Sequence, residues 1–237
     1  MSRPVAVTGW GVQLDPEQAP AVLGRKGLLY KDPATRLALC AVHRALGRPD
    51  GLRTPAVLDP DTAVVASSNL GNVGTVAEVT RIVATEGGRG VSPMAAPNAS
   101  SNVVAGAVAL WFRFGGPNFM LCSGETSGLD AVATGALLIR AGRAARVIVV
   151  GTEPDDADAR ALYPGLQPGA ACVILEPAGR APGPLLQMTP ADGPDADDWA
   201  GHYGARGVLQ VAEAAWQVAA GGPPIAVPGA LLSGTAP

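Results

Sequence analysis

Gly116-Pro117-Asn118-Phe119-Met120-Leu121-Cys122-Ser123-Gly124-Glu125-Thr126-Ser127-Gly128-Leu129-Asp130-Ala131 reads as a strand, a sharp turn and the opening of a helix. Gly115 to Pro117 break what precedes, residues 118–122 form an apolar run of strand length, and Ser123-Gly124-Glu125 has turn chemistry. From 126 to 141 the pattern is helical and almost free of charge over the first three turns, which predicts a buried helix. Residues 146–150 then form an uninterrupted β-branched run, as expected of a central strand covered on both faces.

The same alternation extends outward. Residues 4–7 predict a first strand closed by the turn Thr8-Gly9-Trp10-Gly11, and 35–46 a helix stopped by Gly47. A strand at 62–67 and a helix at 74–86 follow, then an irregular stretch from 91 to 97. Asn98-Ala99-Ser100-Ser101 offers N-cap candidates for a small-residue helix running to about 113. Beyond the elbow come a strand at 170–175, a Pro-, Gly- and Asp-rich loop at 177–198, a helix at 205–220 and a last apolar piece at 225–232. Alternating strands and helices predict an α/β class, a mixed sheet with helices on both faces.

Composition narrows the function classes. The chain has 237 residues, 48% of them hydrophobic but only 4% aromatic, with 31 glycines, so its core must be built from small aliphatic side chains at close backbone approach. A net charge of −3 and the lack of any basic run argue against nucleic acid. No stretch reaches the roughly 18 apolar residues of a membrane span, and the N-terminus lacks the pattern of a cleaved signal, so a cytoplasmic protein is expected. Cys40, Cys122 and Cys172 lie in apolar segments and are expected as reduced, buried thiols; no metal-ligand spacing is present and no cofactor is implied.

Several segments, taken in order, resemble the β-ketoacyl synthase family. Val5 through Gly11 is similar to the family's opening strand and turn, Thr35-Arg36-Leu37-Ala38-Leu39 to its first conserved helix, and Pro97-Asn98 with Gly116-Pro117 to the helix at its dimer side and the entry to the nucleophile strand. Residues 124–131 resemble the nucleophile elbow, and Val147 through Glu153 the strand after it. Gly201-His202-Tyr203-Gly204-Ala205-Arg206-Gly207-Val208, with Gly221-Gly222-Pro223-Pro224 beyond, resembles the family's Gly-His segment. The resemblance implies a compact thiolase-like fold in one domain over 1–237. Residues 1–176 would be the N-terminal half, 177–200 a loop replacing much of the second half, and 201–237 its remnant.

The departures from the family pattern set the functional expectation. Counted from Pro117, the catalytic cysteine falls on Glu125; the His-Gly-Thr-Gly-Thr segment is absent; Asp197 replaces the lysine before the second histidine; no Gly-Phe-Gly loop follows Ile225. A carboxylate cannot stand in for the thiolate, since its attack on a thioester would give an energy-rich mixed anhydride. The resemblance in the elbow is closest to polyketide chain-length factors, which implies a partner subunit that pairs with an active ketosynthase, or with itself, and meets an acyl carrier protein. The alternative is an enzyme in which Glu125 and His202 move protons during decarboxylation, cyclisation or hydrolysis of a carrier-bound chain. Asn98, Ser100, Phe119, Thr126 and Ser127 are expected at the substrate channel or the interface. Glu153 is expected to make a structural hydrogen bond, His43 to be a surface or packing residue, and the acidic groups Asp155, Asp156, Asp158 and Asp192, Asp195, Asp197, Asp198 to be solvated loop. Abundant alanine and glycine with few lysines suit a GC-rich bacterial source.

Overall fold

A computed structural model describes residues 3–51, 57–189 and 197–236. In chain order its elements are β1 (Val5–Gln13), α1 (Ala19–Leu23), α2 (Pro33–Ala45), β2 (Thr62–Ser67), α3 (Val73–Glu86), α4 (Val103–Phe112), β3 (Asn118–Leu121), α5 (Ser127–Arg140), β4 (Arg146–Glu153), α6 (Ala157–Leu162), β5 (Gly169–Pro177), β6 (Gly183–Met188), α7 (Arg206–Ala219), β7 (Ile225–Val227) and β8 (Ala230–Ala236).

The strands form one sheet in the order β3-β2-β4-β5-β1-β6-β8-β7. β2 pairs in parallel with β3 and β4, while β5 runs antiparallel to both β4 and β1. The period of two in each central strand divides the core into two clusters. Ala63, Val65, Val147, Val149, Val173 and Leu175 face α5 and α7, whereas Val64, Ala66, Ile148, Val150, Cys172 and Ile174 face α2 and α4. With both faces covered, an alternating polar pattern is not needed, and this is why these strands read as continuous apolar runs.

The fold is the expected thiolase-like α/β arrangement, with four corrections of detail. The first strand does not stop at a glycine turn. β1 continues to Gln13, and Gly9 and Gly11 serve the approach of α2, since a Cβ on either would lie 2.5 Å from backbone atoms of Ala41 or Ala45. Residues 177–198 are not all loop: β6 pairs with β1 through Leu185 and Leu186 and with β8 through its whole length. Flanking prolines and glycines hide this short strand from a reading of composition; Asp192 and Asp195 lie outside the described residues. The helix expected from Asn98 splits into a 3-10 turn, Ala96–Ala99, and α4, neither end receiving a side-chain cap from Asn98 or Asn102. Cys122 lies just past β3 and is exposed, while Cys40 and Cys172 are buried, the first with its thiol pushed up to about 12 by burial.

Candidate functional site

The elbow sits where β3 ends and α5 begins. Gly124, at φ 76°, makes the reversal that a side chain would oppose. A single 3-10 turn, Gly124–Thr126, then leads into α5. Asn69, just past β2, fastens the turn from below: its Nδ2 donates to Gly124 O at 2.8 Å and its Oδ1 accepts from Gly124 N at 3.0 Å. Ser127, fully buried, accepts from Ser123 N at 2.7 Å and lies 2.8 Å from Gly124 O and 3.0 Å from Asn69 Oδ1. Thr126 Oγ1 reaches Asp130 Oδ2 at 2.9 Å. The backbone under residue 125 is thus held through Asn69 and Ser127, while Glu125 itself is exposed.

Asn69 is held in turn by Glu153 at the end of β4. The Glu153 carboxylate is fully buried and accepts four hydrogen bonds, from Ser68 Oγ, Asn69 N, Leu70 N and Gly204 N, at 2.8 to 3.1 Å. Burial pushes its pKa up to about 7 against the pull of those donors. Gly204 must be glycine for this, because a Cβ there would lie 2.5 Å from Glu153 Oε1. Glu153 therefore ties three segments together, β2's exit, the elbow and the Gly-His segment, and the structural hydrogen bond expected of it is in fact four.

His202 lies within that last segment but turns inward. It is 4% exposed, its ring packs at a tilt against Trp199, and it hydrogen bonds to the backbone of Gln167. Its Nδ1 abuts Gly169, where a Cβ would come within 2.9 Å, and finds no hydrogen-bond partner. Burial pulls its pKa below the ordinary histidine value. Among the described residues no hydrogen bond or ion pair joins His202 to Glu125. The group that meets Glu125 is Tyr163, which caps α6 and shares a hydrogen bond with it; burial, then the Glu125 charge, push the phenol's pKa up. The Tyr163 ring stacks on Tyr203, centroids 4.3 Å apart, and Tyr203 holds φ at 41°, a costly backbone state for a bulky residue. Nothing in the sequence marked Tyr163, which stands alone in a loop without a motif.

Of the remaining residues, Cys122 joins this cluster through Ser68, while Asn98, Ser100, Phe119 and His43 make no hydrogen bond to it among the described residues. Asn98 is buried and its Nδ2 donates to Tyr30 O at 2.6 Å, while the carbonyls of Asn98 and Ser100 each accept from Asn72 Nδ2 at 2.9 Å. Phe119 is 42% exposed on β3, the outermost strand of the sheet. Cys122 Sγ donates to Ser68 O at 3.0 Å, and burial and the Glu153 charge raise its pKa, so it stays a neutral thiol. His43 is buried, its Nε2 3.0 Å from Pro49 O. Asp156 is no solvated loop residue: it caps α6 by accepting from Ala159 N. Among the described residues no group of three His, Cys, Asp or Glu side chains could hold a metal ion, and no helix is long and apolar enough to cross a membrane.

A mixed sheet between helices, with a strand–elbow–helix unit braced by a buried glutamate, is the architecture of the thiolase-like fold. The sequence model of the β-ketoacyl synthase N-terminal domain matches residues 8–156, and the chain belongs to that family. None of the curated protein sequences matches it. Among solved structures it is similar to the ishigamide ketosynthase/chain length factor, at 22% identity and TM-score 0.61, over 82% of this chain and 68% of that one. It is similar also to a type II PKS acyl-carrier protein in complex with its ketosynthase bound to the hexaketide, at 17% identity and TM-score 0.56, over 74% of this chain and 62% of that one. A third similar structure, from Xenorhabdus doucetiae, is a ketosynthase in complex with its chain length factor, at 15% identity and TM-score 0.53, over 78% of this chain and 84% of that one. At such identities the likeness shows the fold alone.

Proposed function

We propose that the chain is a non-condensing ketosynthase-like subunit of a polyketide or fatty-acid-type pathway, a partner of an active ketosynthase in the manner of a chain-length factor. One observation carries the reading: an exposed carboxylate, Glu125, stands on the elbow where acylation requires a thiolate, and the neighbouring sulfur of Cys122 is a neutral thiol bound to Ser68 O. The bare edge of β3, with Phe119 outward, supports a subunit that pairs through this strand, with a ketosynthase or with its own copy. An acyl carrier protein is the proposed second partner. Arg25 and Arg36 flank a small cavity floored by Leu28 and Leu29, a setting that suits an acidic, partly apolar visitor.

The test is co-expression with an active ketosynthase from the same source, followed by reconstitution of product formation with wild-type and Glu125→Gln chains. The expected outcome is a co-purifying complex whose product is unchanged by the substitution. Two proteins that elute apart, or an intact complex that loses product with Glu125→Gln, would overturn the proposal, the second result in favour of proton chemistry at Glu125.

A further inference from the structure

Helix α3 lies over a cavity rather than over core. None of its side chains is buried, and it is held mainly at two points: Asn72, its N-cap, bonds the carbonyls of Asn98 and Ser100, and Arg81 bonds Asp158 on α6 at 2.9 Å. Between these straps a cavity of about 430 Å³ runs under the helix, a volume within the range of small-molecule sites. Val79 and Ile82 line it from α3, and Val91 and Ala95 from the segment beyond. Such an apolar wall with nothing against it forfeits the dispersion contacts that a packed core would supply.

The charged groups of the lining have one sign. Asp32, Glu78 and Asp156 are present, and no lysine, arginine or histidine. Glu78 is met by Arg81 from outside. Asp32 and Asp156 form no ion pair among the described residues. Asp32 is nearly buried and accepts from Thr35 N and Oγ1 as the cap of α2. Asp156 Oδ1 accepts from Ala159 N, while Oδ2 has no donor among the described residues. Lys31, next in sequence, eases the Asp32 charge without pairing with it, but the lining itself carries carboxylates and no cation, so the cavity repels carboxylates and phosphates and favours a positively charged guest.

We propose that this cavity binds a small amphiphilic cation, with its apolar body under α3 and a protonated amine directed to Asp156 and Asp32. The ligand class follows from the lining alone and does not depend on the function proposed for the elbow. Burial raises the Asp32 pKa, and the positive charge of a bound amine opposes that rise by favouring the ionised carboxyl.

Isothermal titration of the full chain with n-octylamine, octanoate and 1-octanol at one salt concentration tests it. Octylamine is expected to bind at least about tenfold more tightly than octanoate, since one charge-assisted bond replaces a repulsion. Asp156→Asn preserves the cap of α6, because asparagine caps as well as aspartate, and is expected to weaken octylamine about tenfold while leaving 1-octanol unchanged. Val79→Trp, which fills the space, is expected to abolish binding of both. Equal affinity for octylamine and octanoate, or octylamine binding untouched by Asp156→Asn, overturns the proposal even if the tryptophan variant does not fold.

Discussion

Glu153 accepts four hydrogen bonds in a site with no water-facing atom, and its pKa near 7 shows burial outweighing the donors. The unfolded chain ionises this group from about pH 4.5, the folded chain only from about 7, so the folded state holds the extra proton between those values. Stability is therefore expected to fall as pH rises from about 4.5 to 7, by at most about 3 kcal/mol, and to level off above. His202 acts with the opposite sign: its lowered pKa means that stability is lost as pH falls below 6.5. Glu153→Gln separates the two. Its amide presents two hydrogens to a site that already supplies four donors, so the variant should melt earlier. Thermal melts across pH 4.5 to 7.5 should also show the gap from wild type narrowing as pH rises, and a constant gap would refute the assignment. The elbow was legible at this scale because its spacing from Pro117 is rigid. Tyr163 was not, because its meeting with Glu125 depends on where α6, 32 or more residues beyond that residue in sequence, is placed by the tertiary fold.

Helices α5 and α7 cross at their first turns, glycine against glycine. A Cβ on Gly128 would lie 2.7 Å from Gly207 N, and one on Gly207 would lie 2.5 Å from Leu129 N. The obstacle in both cases is backbone, which cannot swing aside. Gly128→Ala is expected to cost about 2 kcal/mol and to lower the melting temperature by roughly 4–8 °C, as differential scanning calorimetry would measure. Glycines elsewhere show why element boundaries were harder to read than elements. A glycine pair in β1 has the composition of a turn, yet Gly9 and Gly11 stay extended because α2 needs the room. The local signal of β6 is sparse in another way: Leu185 and Leu186 are a short apolar pair between Pro184 and Gln187, and their strand exists only because β1 and β8 offer edges on both sides.

At the scale of the molecule, one end of the sheet is closed by β7, three residues long, while the other ends on β3 with Phe119 facing out. An uncovered strand edge with an aromatic residue is a pairing surface. Phe119→Lys, which places a charge on that strand without touching either core cluster, is expected to shift the chain toward monomer in sedimentation velocity; an unchanged distribution would place the interface elsewhere. The α/β class and the two-sided covering could be read from the apolar runs, whereas the joining of β6, β8 and β7 to β1 could not, because no local pattern records which distant strand completes a sheet. That arrangement has a consequence for synthesis. Both neighbours of β1, namely β5 and β6, are made about 160 residues or more after it. β1 must therefore wait, unpaired and apolar, while those residues are made, which leaves the nascent chain open to aggregation or to chaperone capture until β5 emerges.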